Sequence, residues 1–278
     1  MKKLFDELSF QVSKATTEKY STSFSLGILA LDQCIRPAVY AIYGYVRLAD
    51  EIVDSFHTYD KQKLLERFKE QTHQALDEKI SLNPILQSFQ ETVHRYDIDR
   101  ALIEQFLHSM EMDLNPTEYN TEKYKEYILG SAEVVGLMCL HVFVDGDKSA
   151  YEALKPYAMK LGSAFQKVNF LRDLKDDYQV LGRTYFPDVN MAVFDNAIKS
   201  AIEEDIHTEF REALVGIKKL PVSARFGVYL AYKYYLSLFK KIKRLPAQRI
   251  MSERVRIPNG QKMSLMMQSY VAYKMAIM

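Results

Sequence analysis

Apolar residues recur at three- and four-residue spacing along almost the whole chain, and residues that break helices are scarce. Only 10 Gly and 8 Pro are scattered over 278 residues, so few positions force the backbone out of a helix. The spacing matches one face of an α-helix and predicts an all-α fold. Breaks are expected near Pro37, Ser81-Leu82-Asn83-Pro84, Asn115-Pro116, Asp145-Gly146-Asp147, residues 182–187, Leu220-Pro221, Pro246 and Pro258-Asn259-Gly260. Helices of roughly ten to thirty residues fit between them. Strand-like alternation is confined to short ambiguous runs such as Val222 to Leu230. No linker, internal repeat or low-complexity tract divides the chain. Its 48% hydrophobic content can bury a large core. The simplest expectation is one all-helical domain over residues 1–278, built as a single large helical bundle.

Charge and cysteine usage narrow the function classes. Charged residues make up 26% of the chain, yet the formal net charge is +1, which gives no footprint for nucleic acid. Cys34 and Cys139 form no CxxC, and no His-rich spacing accompanies them. A zinc site or disulfide framework is therefore not expected, and a reducing compartment fits. Acids in Met1-Lys2-Lys3-Leu4-Phe5-Asp6-Glu7 stand where a signal peptide would need an apolar run. The longest apolar stretch, Val134 to Val144, is too short to span a bilayer. The expectation is a soluble, cytoplasmic protein.

Two carboxylate clusters interrupt the apolar pattern. Around Val39 to Phe56, Tyr43, Arg47, Asp50 and Asp54 follow i, i+4, i+7, i+11 spacing and fall on one narrow stripe. Ile42, Tyr45, Val46, Leu48, Ala49, Ile52, Val53 and Phe56 make the rest of the helix apolar. A helix apolar around most of its circumference is normally buried, so the stripe should face an internal cavity. The plainer account is a wet side on which Arg47 pairs with Asp50 or Asp54 as a surface ion pair of little worth. The width of the apolar surface argues against it.

Around Ala158 to Tyr178, Gln166, Asn169, Asp173 and Asp177 again share a face, with Arg172 and Asp176 beside it. Gly162, one turn earlier, would let a ligand or a neighbouring helix come close. The plainer account is a solvated acidic helix end. Asn169, Asp173 and Asp177 offer hard oxygens in a line, which suits Mg²⁺, with Mn²⁺ as a substitute. Buried carboxylate pairs are costly unless a cation neutralises them, and two such pairs suggest two helices facing each other across Mg²⁺. Arg183, beyond the Gly182 turn, could hold a phosphate or could answer a helix C-terminus; both readings stand. Such a site suits an allylic diphosphate: cations draw charge from the leaving oxygen, and an apolar, Tyr-rich pocket shelters the carbocation.

The ordered motifs give the chain a family resemblance. Tyr20-Ser21-Thr22-Ser23-Phe24-Ser25, Tyr43-Gly44-Tyr45-Val46-Arg47-Leu48-Ala49-Asp50-Glu51-Ile52-Val53-Asp54, Tyr127-Ile128-Leu129-Gly130-Ser131-Ala132-Glu133-Val134-Val135-Gly136, the Gln166-to-Asp177 segment and Arg183-Thr184-Tyr185-Phe186-Pro187 occur in that order. Over about residues 15–260 the chain resembles the squalene/phytoene synthase family, with the look of its bacterial phytoene synthases. The resemblance implies the all-α isoprenoid-synthase fold, a helical bundle around a central cavity, and head-to-head condensation of two prenyl diphosphates with release of diphosphate. It implies Asp50, Asp54, Asn169, Asp173 and Asp177 as the Mg²⁺–diphosphate ligands. Among these the four aspartates, with Arg47 and Tyr43, form the catalytic set. It places Tyr20, Ser21, Thr22, Ser23, Tyr43, Arg47, Tyr127, Gln166, Arg172, Arg183, Tyr185 and Tyr235 at substrate. Two departures stand out: many members have His at the position of Tyr20, and a small residue is usual at that of Glu133.

The favoured substrates are two geranylgeranyl diphosphates, joined to phytoene through a cyclopropylcarbinyl diphosphate without NADPH. The rival is a synthase that joins two C15 diphosphates to dehydrosqualene or, with NADPH, squalene. A non-catalytic family member should have lost metal ligands, and every ligand position is intact. Lys240, Lys241, Lys243, Arg244, Arg249 and Arg254 face only Glu253 in a late basic segment. That segment could dock peripherally on the inner face of an anionic membrane; a solvated basic helix face, or one that steers diphosphate, fits it as well.

Overall fold

The computed structural model describes residues 1–114, 120–179, 185–187, 189 and 193–274, except the side chains of 176–179, 259, 261, 263, 272 and 274. Thirteen α-helices and one π-helical turn make up the described elements, and no strand occurs among the described residues. They run α1 (Lys2–Tyr20), α2 (Thr22–Leu29), α3 (Arg36–Asp54), α4 (Lys61–Glu78), α5 (Pro84–Arg95), α6 (Arg100–Leu114) and α7 (Thr121–Ile128). The π-turn (Leu129–Glu133) leads into α8 (Val134–Val144), followed by α9 (Lys148–Gln179), α10 (Asn196–Lys219), α11 (Val222–Lys243), α12 (Ala247–Ser252) and α13 (Asn259–Lys274). The ambiguous run Val222 to Leu230 lies inside α11, where Ala224, Gly227 and Leu230 turn inward at helical spacing.

Proline marks starts as expected, with Pro84 heading α5 and Pro37 in the first turn of α3. Other boundaries are set by polar side chains that satisfy the free N–H groups of a first turn. Ser21 accepts from the Phe24 amide at 3.2 Å and splits α1 from α2. Asp60 starts α4 through the Lys63 amide, Asn120 starts α7 through the Lys123 amide, and Asp195 starts α10 through Ala197 and Ile198. The expected breaks at Asn115-Pro116 and residues 182–184 lie outside the described residues.

Two aromatic-rich cores flank the centre of the molecule. One gathers α2 to α6 and α8, with Tyr45 stacked on Phe89 at 3.7 Å between ring centres. The other gathers α7 and α9 to α12 around Phe210, Leu238 and Phe239. Residues Thr121–Val144 form a continuous helical run, which corrects the expectation drawn from Val134 to Val144 alone. With α7 and the π-turn included, the run is long and apolar enough to cross a membrane by length and composition alone, an 18-residue window of it reaching a mean hydropathy of 1.8. Its apolarity has an internal use as well: Leu137, Met138, Leu140 and Val142 are buried where α8 packs on α6 and α9. Gly162 accepts a neighbouring backbone, since a Cβ there would stand 2.7 Å from the Ala132 carbonyl oxygen in the π-turn.

Candidate active site

A cavity of about 690 Å³ opens between the two cores, walled by α1 to α3, α6, the π-turn and α8 to α11. The charged stripe of α3 faces it, because Ala41, Tyr45, Ala49 and Ile52 on the other faces of that helix are buried in protein. Tyr43, Arg47, Asp50 and Asp54 line it from α3; Gln166, Asn169, Arg172 and Asp173 line it from α9. Tyr20, Ser21, Tyr127, Tyr185 and Tyr235 complete the expected residues that reach it.

Thr22 and Ser23, expected beside Ser21, are not among the residues that line the cavity. Once Ser21 has started α2, the helical turn sends Phe24, Gly27 and Ile28 inward and leaves Thr22 exposed and Ser23 half-buried. Asp177 lies on α9, but its side chain, like Arg183 as a whole, is outside the described residues.

The charges sort into two groups. On α3, Arg47 is paired with Glu51, and its Nη1 stands 4.0 Å from Asp50 Oδ2. The guanidinium also lies over the Tyr20 ring, 4.4 Å from its centre. Asp50 sits deep in the cavity; burial, then the Asp54 charge, push its carboxyl up to about 8, and Arg47 offsets only part of that. On α9, Arg172 Nε donates to Asp173 Oδ1 at 2.9 Å. Arg254, from the segment after α12, stands 2.7 Å from the same oxygen.

Four lining residues were invisible to helical spacing. Arg254 comes from a distant segment. Asp113 of α6 is buried and accepts from the Tyr127 hydroxyl at 2.9 Å, adding a carboxylate that raises Asp50 further. Its one sequence signal is an acid on the apolar side of α6, between Met110 and Leu114. Phe165 stacks on Tyr235 at 3.9 Å, while Phe24 bridges Tyr43 and Tyr235 at 5.5 and 5.9 Å. The Tyr235 hydroxyl in turn donates to Asn169 Oδ1 at 3.3 Å.

The donor set fits a divalent cation. Asp50 and Asp54 lie on one stripe facing the cavity, where the Asp54 charge raises the cost of charge on Asp50, and their hard oxygens match Mg²⁺. Among the described residues no three His, Cys, Asp or Glu converge on one point. The α3 and α9 oxygens therefore suit ions whose remaining shell is supplied by water and phosphate.

Away from the carboxylates the cavity is apolar. Gly162, Ala158 and Leu154 continue the α9 lining below Gln166, and Leu140, Phe143 and Leu220 join Leu154 at the far end. From Leu154 to Asp173 at about 1.5 Å per residue, the cavity lining runs roughly 28 Å along α9, of which roughly 18 Å lies below Gln166.

Comparison with known proteins agrees with this architecture. The squalene/phytoene synthase family model matches residues 17–261. Among relatives, a phytoene synthase of Arthrospira platensis is 26% identical over 92% of this chain and 90% of that protein. A 4,4'-diapophytoene synthase of Staphylococcus haemolyticus is 27% identical over 72% of this chain and 69% of that protein. A chloroplastic phytoene synthase of Zea mays is 27% identical over 81% of this chain, which spans only 59% of that longer protein. In fold, the chain is similar to a crystal structure of a dehydrosqualene synthase in complex with ligand (TM-score 0.82, 20% identity), covering 97% of this chain and 98% of that one. It is also similar to the squalene synthase HpnC from Alicyclobacillus acidocaldarius (TM-score 0.73, 19% identity), covering 85% and 93%.

Proposed function

This chain belongs to the squalene/phytoene synthase family of head-to-head prenyltransferases, and we propose that it condenses two geranylgeranyl diphosphates to phytoene. The observation that carries this reading is the join of a carboxylate-rich mouth to an apolar tunnel that runs roughly 18 Å below Gln166. An extended C20 prenyl chain spans roughly 19 Å and a C15 chain roughly 14 Å, taking ordinary C–C bond lengths and angles. The apolar part exceeds the C15 length and comes close to that of the C20 chain, which supports the longer substrate.

Asp50, Asp54, Asn169 and Asp173, with Asp177, would hold Mg²⁺. The bound ion supplies Lewis acidity toward diphosphate oxygens and a template for the leaving group. Arg47 and Arg172 supply fixed positive charge beside the same oxygens and orient the leaving group. The C1–O bond of one substrate breaks and diphosphate departs. The C2–C3 double bond of the second substrate attacks C1, and loss of a proton closes the cyclopropane. The cyclopropylcarbinyl diphosphate then loses its own diphosphate, rearranges to the 1-1′ link and loses a second proton.

The aromatic faces of Phe24, Tyr43, Phe165 and Tyr235 stand along the path of the cation, where ring quadrupoles favour positive charge. Burial pushes Tyr43 up to about 12, so its hydroxyl stays protonated through the neutral range. The apolar walls keep out water that would quench the cation.

The test is product analysis after incubation of purified protein with Mg²⁺ and C15 or C20 diphosphate, each with and without NADPH. A C40 product from the C20 substrate without NADPH is expected. A C30 product from the C15 substrate alone would move the assignment to dehydrosqualene synthesis, or to squalene if NADPH is needed. No product from either substrate would overturn the reading.

A further inference from the structure

The last residue of α1 stands over the one arginine of the α3 stripe. Tyr20 ends α1 where the Ser21 break turns the chain into α2. Gly44 lets α1 lie close on α3, since a Cβ there would stand 2.9 Å from Ser13 Oγ. The Tyr20 ring then covers the Arg47 guanidinium, whose Cζ lies 4.4 Å from the ring centre. Tyr20 lines the cavity yet is 52% exposed, which places the ring at the rim. Among the described residues the Tyr20 hydroxyl has no hydrogen bond. The side chain meets the site through its ring face.

A guanidinium has an edge and a face with different uses. Its N–H groups lie in the edge, where a phosphate can take two of them side by side, and an aromatic ring takes the face. On Arg47, Glu51 takes Nη2, and Nη1 stands 4.0 Å from Asp50 Oδ2. Nε is buried and has no hydrogen-bond partner among the described residues. Contacts along one side of the edge leave the plane free to turn about that side. The Tyr20 ring supplies the missing restraint: it sets the plane and leaves the Nη1 side for an anion beside Asp50 and Asp54. Arg172, on the facing helix, has its plane set differently, by Nε and Nη2 both donating to Asp173.

We propose that Tyr20 is a positioning residue for the diphosphate. Its ring face holds the plane of Arg47 so that the guanidinium edge meets the phosphate oxygens, and its hydroxyl takes no part. The family resemblance puts Tyr20 at the substrate; the geometry makes it act through Arg47 instead. The inference rests on the reading of the α3 and α9 oxygens as a Mg²⁺–diphosphate site, and it is independent of prenyl chain length.

The experiment is calorimetric titration of the full chain with inorganic diphosphate in excess Mg²⁺, which reads binding without turnover. Absence of binding by the wild type would remove the Mg²⁺–diphosphate reading and the inference with it. With wild-type binding in hand, Tyr20→Leu is expected to weaken it about threefold to tenfold, the cost of ordering one freed arginine on binding. Tyr20→Phe keeps the ring and loses the hydroxyl, and should bind within about twofold of the wild type. In an Arg47→Met chain, where the α3 and α9 oxygens and Arg172 remain, Tyr20→Leu should add less than about 1.5-fold. Circular-dichroism melts establish that each variant is folded. Equal losses in Tyr20→Phe and Tyr20→Leu would overturn the inference, by making the hydroxyl the group that counts. Undiminished binding in Tyr20→Leu would overturn it too, as would a loss that is as large without Arg47 as with it.

Discussion

Arg254 Nε and Asp173 Oδ1 stand 2.7 Å apart, and Arg172 holds the same carboxylate from its own helix. Asp173 thus carries two guanidinium partners, while Asp50 on α3 has Arg47 at 4.0 Å, shared with Glu51. The two sides of the cavity are not electrically equivalent. With 41% of its side chain accessible, Arg254 lies within reach of a phosphate that enters the cavity beside Asp173. Arg254→Ala is expected to lower kcat/KM for the prenyl diphosphate by about 10–100-fold, the worth of a charged hydrogen bond. Steady-state kinetics beside a thermal melt checks this: a purely structural role would lower Tm and leave kcat/KM of the folded fraction intact.

The Asp50 carboxyl predicts a pH-dependent response to cations. Its folded value, about 8, lies above the unfolded value of 3.8, so the folded protein binds the extra proton between those limits. Stability of the metal-free protein therefore falls as pH rises through that window. A cation must displace the proton, so Mg²⁺ with inorganic diphosphate should raise Tm more at pH 8.5 than at pH 6.5. Asp50→Asn is expected to lose most of that rise and to lower kcat by at least about 10²–10³-fold. It should also melt higher than the wild type at pH 8.5 without metal. Scanning calorimetry at the two pH values checks the first and last points; an equal Mg²⁺ response at both would remove the argument.

Much of this was legible in the chain itself, and the reason is local geometry. The stripe from Tyr43 to Asp54 can be read because helical spacing alone puts its members on one face, and the apolar remainder says which way that face must turn. The partners that cross between elements could not be read. Glu51 lies off the stripe, yet it takes Arg47, since i, i+4 neighbours also meet. Arg254 reaches Asp173, and Asp113 reaches Tyr127, only because the fold brings those segments together. The break at Ser21 was missed because a serine that ends one helix and starts the next leaves no proline or glycine behind. That same break is what turns Thr22 and Ser23 away from the cavity.

Glu133, where the family usually has a small residue, sits in the π-turn behind the cavity wall. Burial, then the charge of Glu209, push its carboxyl up to about 7, and Lys160 and Lys167 offset part of this. Lys167 is already engaged by Asp205 and Glu209, and Ser163 also donates to Glu209, so little positive charge is left for Glu133. The folded value again exceeds the unfolded one, so Glu133 costs stability as pH rises from 4.5 through 7. Glu133→Gln is expected to stabilise by about 1–2 kcal/mol at pH 8, allowing for the water the side chain keeps, and by almost nothing at pH 4.5. Urea unfolding at the two pH values measures the difference. A constant offset between them would mean that packing, not charge, sets the effect.

The far end of the tunnel yields the prediction on chain length. A Cβ at Gly216 would stand 2.2 Å from the Tyr157 Cβ, so the ring of Tyr157 holds its place in the cavity wall only because position 216 lacks a side chain. Gly216→Ala should drive that ring toward the lumen beside Leu154 and Leu220. Overpacking of this kind costs about 1–3 kcal/mol, and the tunnel should shorten by part of a ring width. The expected result is a Tm loss together with a shift in competition toward C15 over C20 diphosphate. Leu154→Ala acts in the other sense: it opens the floor and should favour the longer chain, at a cost of about 2–5 kcal/mol in stability. Competition assays with mixed C15 and C20 substrates read both shifts as product ratios. Opposite movements in the two variants place the limit on chain length at this floor; movement in the same direction, or none, places it elsewhere along the tunnel.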